Sequence, residues 1–221
     1  MRFDKVAIVG LGGTGSYILD LVAKTPIQEI HLFDGDVFSQ HNAFRAPGAA
    51  SLDELAKLPL KVDYLHGIYD KMHRGVIPHC YGLDESNVHE LQEMDFVFLS
   101  MDGGSMKRAI VEKLVEYKIS FIDVGMGVSK VEDSLTGMLR VTTGTEQRNS
   151  HIWEKSAIPF AHVVAENRYD SNIQIADLNS LNATLAVIKW KKMAGFYADQ
   201  KQENMSVYTV SGNHLVNEAY E

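Results

Sequence analysis

The sequence predicts an α/β fold: a doubly wound, mostly parallel sheet with helices on both faces and an antiparallel extension at its edge. Three observations carry that prediction. Short apolar runs recur at residues 6–9, 29–33, 76–81, 96–99 and 119–124, each long enough for one strand. Stretches of helical period separate them at 16–24, 61–72 and 107–117. The first run enters a glycine-rich turn, Gly10-Leu11-Gly12-Gly13-Thr14-Gly15, and the second ends at Asp34. Strands alternating with helices in this way make a parallel sheet covered on both faces.

Taken in order, Val6-Ala7-Ile8-Val9 is the first strand and residues 16–24 the first helix, with Tyr17, Ile18, Leu21 and Val22 on one face. Strand, glycine turn and helix in that order form a Rossmann-like, nucleotide-binding beginning. Gly10 permits the tight turn, Gly12 a close approach to phosphate, and Gly15 the packing of helix on strand. The helix N-terminus offers free N–H groups to an anion. Asp34 follows about 20 residues later, where such folds place a carboxylate on ribose hydroxyls.

Residues 37–47 are too polar and interrupted for a strand. Ser51-Leu52-Asp53-Glu54 is a capping box opening a short helix that Pro59 ends. A helix over 61–72 stops at Gly75. The third strand, 76–81, carries Cys80 as a small buried apolar residue, and a short helix over 84–91 is capped near Ser86. Phe96-Val97-Phe98-Leu99 is apolar throughout, as a strand buried on both faces should be. Residues 135–142 read as a strand joining the sheet edge. Residues 144–176 are polar with scattered aromatics and form a crossover. Over 177–194 Leu178, Leu181, Leu185 and Ile188 recur at spacings of three and four, which predicts a helix, and a strand over 205–210 follows.

Length and composition bound the rest. The 221 residues are expected to form a single domain, with an apolar fraction of 45% that allows a full core. A formal charge of −8 gives nucleic acid no electrostatic foothold. No apolar run approaches the roughly 18 residues of a membrane span. The start has no signal-peptide core, so a cytoplasmic location is expected. One cysteine excludes internal disulfides and Cys-cluster zinc, so no zinc is expected. The nine histidines show no ligand spacing and read as structural or surface residues.

Five elements in order resemble the ThiF/MoeB-like family, the adenylating domain of ubiquitin-activating-type enzymes. They are Gly10-Leu11-Gly12-Gly13-Thr14-Gly15, Asp34-Gly35-Asp36, Asn42-Ala43-Phe44-Arg45, Lys61 and Asp102. The resemblance covers residues 4–143, with a weaker match over 179–199. It implies ATP-dependent adenylation of the C-terminal carboxylate of a small ubiquitin-like or sulfur-carrier protein ending in Gly-Gly, with release of pyrophosphate. It further implies that Gly10, Gly12, Gly13, Gly15, Asp34, Asp36, Asn42, Arg45 and Lys61 bind the nucleotide. Within that set Asp34 would hold the ribose, and Arg45 and Lys61 would offset phosphate charge. Asp102 would hold Mg²⁺, and with Arg45 and Lys61 it forms the expected catalytic set. A homodimer is implied as well. The chain departs from the family pattern in carrying no Cys-x-x-Cys pair and no crossover cysteine. Arg2 also stands too close to the first strand to match the arginine that relatives take from a partner subunit's extension.

Two other readings use the same residues. An NAD(P)-dependent oxidoreductase also wants the glycines and Asp34, but it explains neither Asn42-x-x-Arg45 nor Asp102. A nucleotide-binding scaffold without chemistry would fit the missing N-terminal arginine.

Overall fold

The computed structural model describes residues 3–161 and 175–220. The strands are β1 (Lys5–Val9), β2 (Glu29–Phe33), β3 (Val76–His79), β4 (Phe96–Leu99), β5 (Ser120–Val131), β6 (Ser134–Gly144), β7 (Met205–Thr209) and β8 (His214–Glu218). Among the described residues they form one sheet in the order β3-β2-β1-β4-β5-β6-β7-β8. Pairing is parallel from β3 through β5 and antiparallel from β5 through β8. The helices are α1 (Gly13–Val22), α2 (Gln40–Ala43), α3 (Leu52–Ala56), α4 (Lys61–Tyr69), α5 (Ser105–Glu116), α6 (Ser150–Glu154) and α7 (Ala176–Met193).

Strand periodicity divides the core into two layers. Val6, Ile8, Ile30, Leu32, Phe96 and Phe98 pack with residues of α1, α4 and α7 on one face. Ala7, Val9, Phe33, Val97 and Leu99 pack with α5 and a 3₁₀ turn, Val88–Glu93, on the other. β4 and most of β1 are buried on both sides, which is why their sequences are apolar without alternation, whereas β2 keeps the polar Glu29 and His31 partly exposed on one face.

The structure corrects several element boundaries. Helix α1 begins at Gly13 rather than at Ser16. Its two glycines are tolerated there because neighbouring groups occupy the space of a side chain at both positions. A four-residue helix, α2, lies within the expected loop, too short to show a period. Its start is closed by Asn42, whose Oδ1 accepts from the Ser39 amide (3.0 Å) and hydroxyl (2.7 Å). The expected helix over 84–91 is instead a turn followed by the 3₁₀ segment. In that turn Asp84 Oδ1 accepts the Ser86 amide at 2.7 Å, and Asn87, not Ser86, holds the N-cap position of the 3₁₀ segment. β3 ends at His79, so Cys80 lies outside the strand and is exposed. Its thiol donates to Asp63 Oδ1 at 3.1 Å. The capping box at Ser51 is present, with the Glu54 amide donating to Ser51 Oγ and the Ser51 amide to Glu54 Oε2.

α7 is turned relative to the leucine stripe. Its buried residues include Asn179, Asn182, Ala183, Ala186, Val187 and Trp190, whereas Ile188 is exposed. Alanines let α7 lie close along α1, and Trp190 fills the space beside Phe96 and Phe98. Leu178 and Leu181 face instead a smaller cluster with Val128 and Leu139 on the extended β5–β6 hairpin.

β6 is an inner strand, not the edge, because β7 and β8 continue the sheet beyond it. All five residues of β8 are exposed, which erases any apolar alternation. The expected crossover contains α6, and its residues 162–174, Tyr169 among them, lie outside the described residues.

His151 of α6 is buried, with Nε2 2.9 Å from the Thr143 carbonyl and Nδ1 3.3 Å from the Asn204 amide nitrogen. The carbonyl accepts only from an Nε2–H, and the amide then donates to a bare Nδ1, so the ring is neutral. Burial accordingly holds its pKa below the ordinary 6.5. A pKa lowered by folding gives stability that is present above the unfolded value and lost as pH falls through the folded one. Melting temperature is therefore expected to drop between pH 7 and pH 5. His151→Gln keeps a neutral donor and acceptor, and it is expected to flatten part of that drop. A profile identical to the wild type contradicts the assignment.

Candidate functional site

The sheet order reverses between β1, which leads outward through β2 to β3, and β4, which leads to β5. In open α/β sheets the crevice beyond the strand ends at that reversal is where ligands sit. The sequence-derived residues come together there.

Gly10 follows β1 with φ of +89°, and its amide donates to the Phe33 carbonyl at 2.9 Å. A side chain there would collide with the Ser100 backbone, so the position requires glycine. Gly15 lies against the Gly10 carbonyl, which brings α1 onto the end of β1. Among the described residues nothing stands within 4 Å of a Cβ placed on Gly12, so they leave the turn open on that side. Gly13 differs. A Cβ there would lie 2.5 Å from the side chain of Asn179, so this glycine is matched to α7.

Asp34 directly follows β2 and is buried. Its Oδ2 accepts the Leu11 amide at 2.7 Å and its Oδ1 the Asp36 amide at 2.8 Å. The carboxylate thus ties the glycine turn to the next strand. A carboxylate offers about four acceptor sites, and the two backbone donors leave capacity for hydroxyls.

Lys61 is the first residue of α4. Backbone bonds from Phe38 to Pro59 and from Lys61 to Asp36, with the bridge between Val37 and Leu60, bring it back beside Asp34. Its Nζ sits 2.6 Å from Asp36 Oδ2 and 3.4 Å from both Asp34 oxygens. Asp36 is exposed and is therefore the partner a bound anion can replace.

Arg45 follows α2 and is half-buried, with Nε buried and without a hydrogen-bond partner among the described residues. Burial pushes its pKa down, and the nearby Asp102 carboxylate opposes that. An unpaired buried donor on a permanently charged group is costly unless an acceptor completes it. Asp102 is exposed in the loop after β4. It does not cap α5, since Gly104 holds the N-cap position. Asn42 is buried, its carboxamide oxygen already taken by Ser39.

Three features have no local sequence signal. His41 sits among the cations: burial, then Arg45, then Lys61 hold its pKa down. Asn179 reaches the glycine turn from the far end of the chain. Asp123, fully buried at the end of the parallel part of β5, holds Lys107 at 2.5 Å and Arg140 at 2.6 Å. A cavity of about 130 Å³ between α7 and the β7–β8 hairpin, lined by Ile188, Lys192 and Leu215, shares no residue with this site.

The sequence model of the ThiF family matches residues 1–153. No curated protein matches the chain at a significant level. Solved structures share its fold. MccB from E. coli with MccA-N7isoASN aligns at a TM-score of 0.75 and 18% identity, covering 97% of this chain and 64% of that one. MccB with ATP aligns at 0.73 and 19%, covering 97% and 62%. PaaA aligns at 0.72 and 17%, covering 97% and 63%. The chain thus spans less than two thirds of the length of these neighbours.

Proposed function

The chain belongs to the ThiF family, and from that premise we propose that it is an ATP-dependent adenylyltransferase of the ubiquitin-activating type. Residues 1–221 act as one adenylation unit on the C-terminal carboxylate of a small ubiquitin-like or sulfur-carrier protein, or of a peptide. A carboxylate oxygen bonds to the α-phosphorus of ATP. The bond from that phosphorus to the bridging oxygen breaks, and pyrophosphate leaves with the electron pair. The nucleophile is already an anion, so no general base is needed. The protein supplies position and counter-charge.

The observation that carries this reading is Arg45, whose buried Nε has no hydrogen-bond partner among the described residues and which stands beside Asp102 where the sheet order reverses. A phosphate oxygen completes that donor. Lys61 adds a second cation by exchanging Asp36 for a phosphate. The open face of Gly12 admits the nucleotide, Asp34 accepts the ribose hydroxyls, and Asn42 braces the loop that carries Arg45. Among the described residues no group of three or more His, Cys, Asp or Glu side chains is placed to hold a metal. Mg²⁺ prefers few carboxylates and several phosphate oxygens, so Asp102 with the nucleotide suits it. Bound there, the ion would neutralise charge building on the leaving pyrophosphate. That MccB was solved with ATP and with MccA supports ATP and a small acceptor here. A homodimer is part of the proposal, in which a partner supplies further cationic groups.

Calorimetric titration with ATP–Mg²⁺ and with NAD tests the reading. ATP is expected to bind more tightly, and Asp34→Ala to weaken it by about ten- to a hundredfold, since hydrogen bonds to a charged group are lost. Tighter binding of NAD contradicts the proposal and favours an oxidoreductase.

A further inference from the structure

Thr14 Oγ1 donates to Asn179 Oδ1 at 2.8 Å, and Asn179 Nδ2 donates to the Ile175 carbonyl at 2.9 Å. Asn179 is fully buried, and both ends of its carboxamide are committed. The missing Cβ of Gly13 makes the room, with Cγ, Oδ1 and Nδ2 of Asn179 all 2.5–2.6 Å from where that atom would be. On the α1 side, Ser16 Oγ donates to the Gly13 carbonyl at 2.8 Å and its amide to the Gly12 carbonyl at 3.0 Å. The carbonyls of the turn are therefore held by Ser16, and the base of α1 is held by Asn179. With those groups fixed, the backbone of Gly12 and Gly13 is held in one conformation, on a turn whose Gly12 has no described neighbour within 4 Å of a Cβ placed there.

A buried amide is an expensive way to pack two helices. Ala183 and Ala186 already bring α7 against α1 without polar cost. The neighbouring Asn182 shows the cost: its Nδ2 reaches the Gly125 carbonyl at 3.0 Å, while its Oδ1 has no hydrogen-bond partner among the described residues. Asn179 differs in having both ends satisfied, Oδ1 by Thr14 beside the glycine turn and Nδ2 by the Ile175 carbonyl at the start of its own helix.

We infer that Asn179 is a positioning residue for the nucleotide phosphates, acting through Thr14 and Gly13 on the glycine turn. The inference rests on the ATP reading above. It concerns the phosphates and not the ribose, because Asp34 reaches the turn from β2 through Leu11, independently of α7.

The test compares ATP–Mg²⁺ with adenosine by calorimetry on the wild type, Asn179→Ala and Thr14→Val. Thr14→Val removes only the hydroxyl bond and keeps the branched shape, so it decides the question if Asn179→Ala does not fold. Loss of one such hydrogen bond is expected to weaken ATP by up to about tenfold. Adenosine, which has no phosphates, is expected to bind each folded variant as it binds the wild type. Equal losses for ATP and adenosine, or no loss for either, overturn the positioning role while leaving the ATP reading in place. A wild type that binds neither ligand overturns the ATP reading, and the inference with it.

Discussion

Asp102→Ala is expected to slow adenylate formation by about 10²- to 10³-fold while ATP affinity changes little, the usual cost of one preorganised electrostatic contact. Asp102 follows β4, a strand buried on both faces, so its backbone is anchored even though its side chain is exposed. Gly103 lies against the Pro159 and Ala161 carbonyls, which brace the loop from the other side. A carboxylate held there beside Arg45 matters most when charge moves from the α-phosphate onto pyrophosphate. Interactions that strengthen only in the transition state appear in turnover, not in binding. Asp34→Ala is expected to show the opposite balance, because ribose contacts persist throughout. Single-turnover rates beside binding constants for the two variants check this. Near-normal rates in Asp102→Ala, or the same balance in both variants, contradict the division of roles. Cys80→Ser is the control, since that exposed thiol faces Asp63 and no site residue.

Asp123→Ala is expected to destabilise the fold by about 3–5 kcal/mol, the usual cost of leaving a buried ion pair half removed. Asp123 and Lys107 are almost completely buried, and the Arg140 side chain is 14% exposed. Deleting the carboxylate leaves two cations facing each other with little water to screen them. Arg140 also donates to the Ala157 carbonyl at 3.0 Å and to Thr142 Oγ1 at 2.6 Å, so its displacement loosens the chain that braces Gly103. Chemical denaturation measures the loss. A loss below about 1 kcal/mol contradicts the assignment. The pair of changes Asp123→Leu with Lys107→Met is expected to recover part of it, since apolar replacement of a buried pair is often neutral.

The parallel half of the molecule was legible because burial on both faces leaves uninterrupted runs such as Phe96-Val97-Phe98-Leu99. In the antiparallel half β6 and β7 were legible too, but the rest was not. The outer part of β5 and all of β8 face solvent, so Ser129, Lys130, Asn217 and Glu218 look like loop residues. The spacing of α7 was legible from its leucines, but the burial of Asn179, Asn182, Ala183 and Ala186 was not, because small and polar residues carry no apolar period. In the site, the glycines and Asp34 could be read from spacing alone. The approach of Lys61 to Asp34 depended on a backbone bridge between Val37 and Leu60 that carries no side-chain pattern. Asn179 lies 165 positions beyond the threonine it holds. Only the three-dimensional structure brings such a pair together.

Under the proposed function, this site activates a carboxylate with ATP. Exchange of labelled pyrophosphate into ATP tests it most directly, in the presence of peptides and small proteins with free C-terminal carboxylates, Gly-Gly termini among them. The same set amidated at the C-terminus serves as the blank. Label is expected to enter ATP only with free carboxylates, and Asp102→Ala to abolish it. ATP binding with no exchange above the amidated blank would contradict that function.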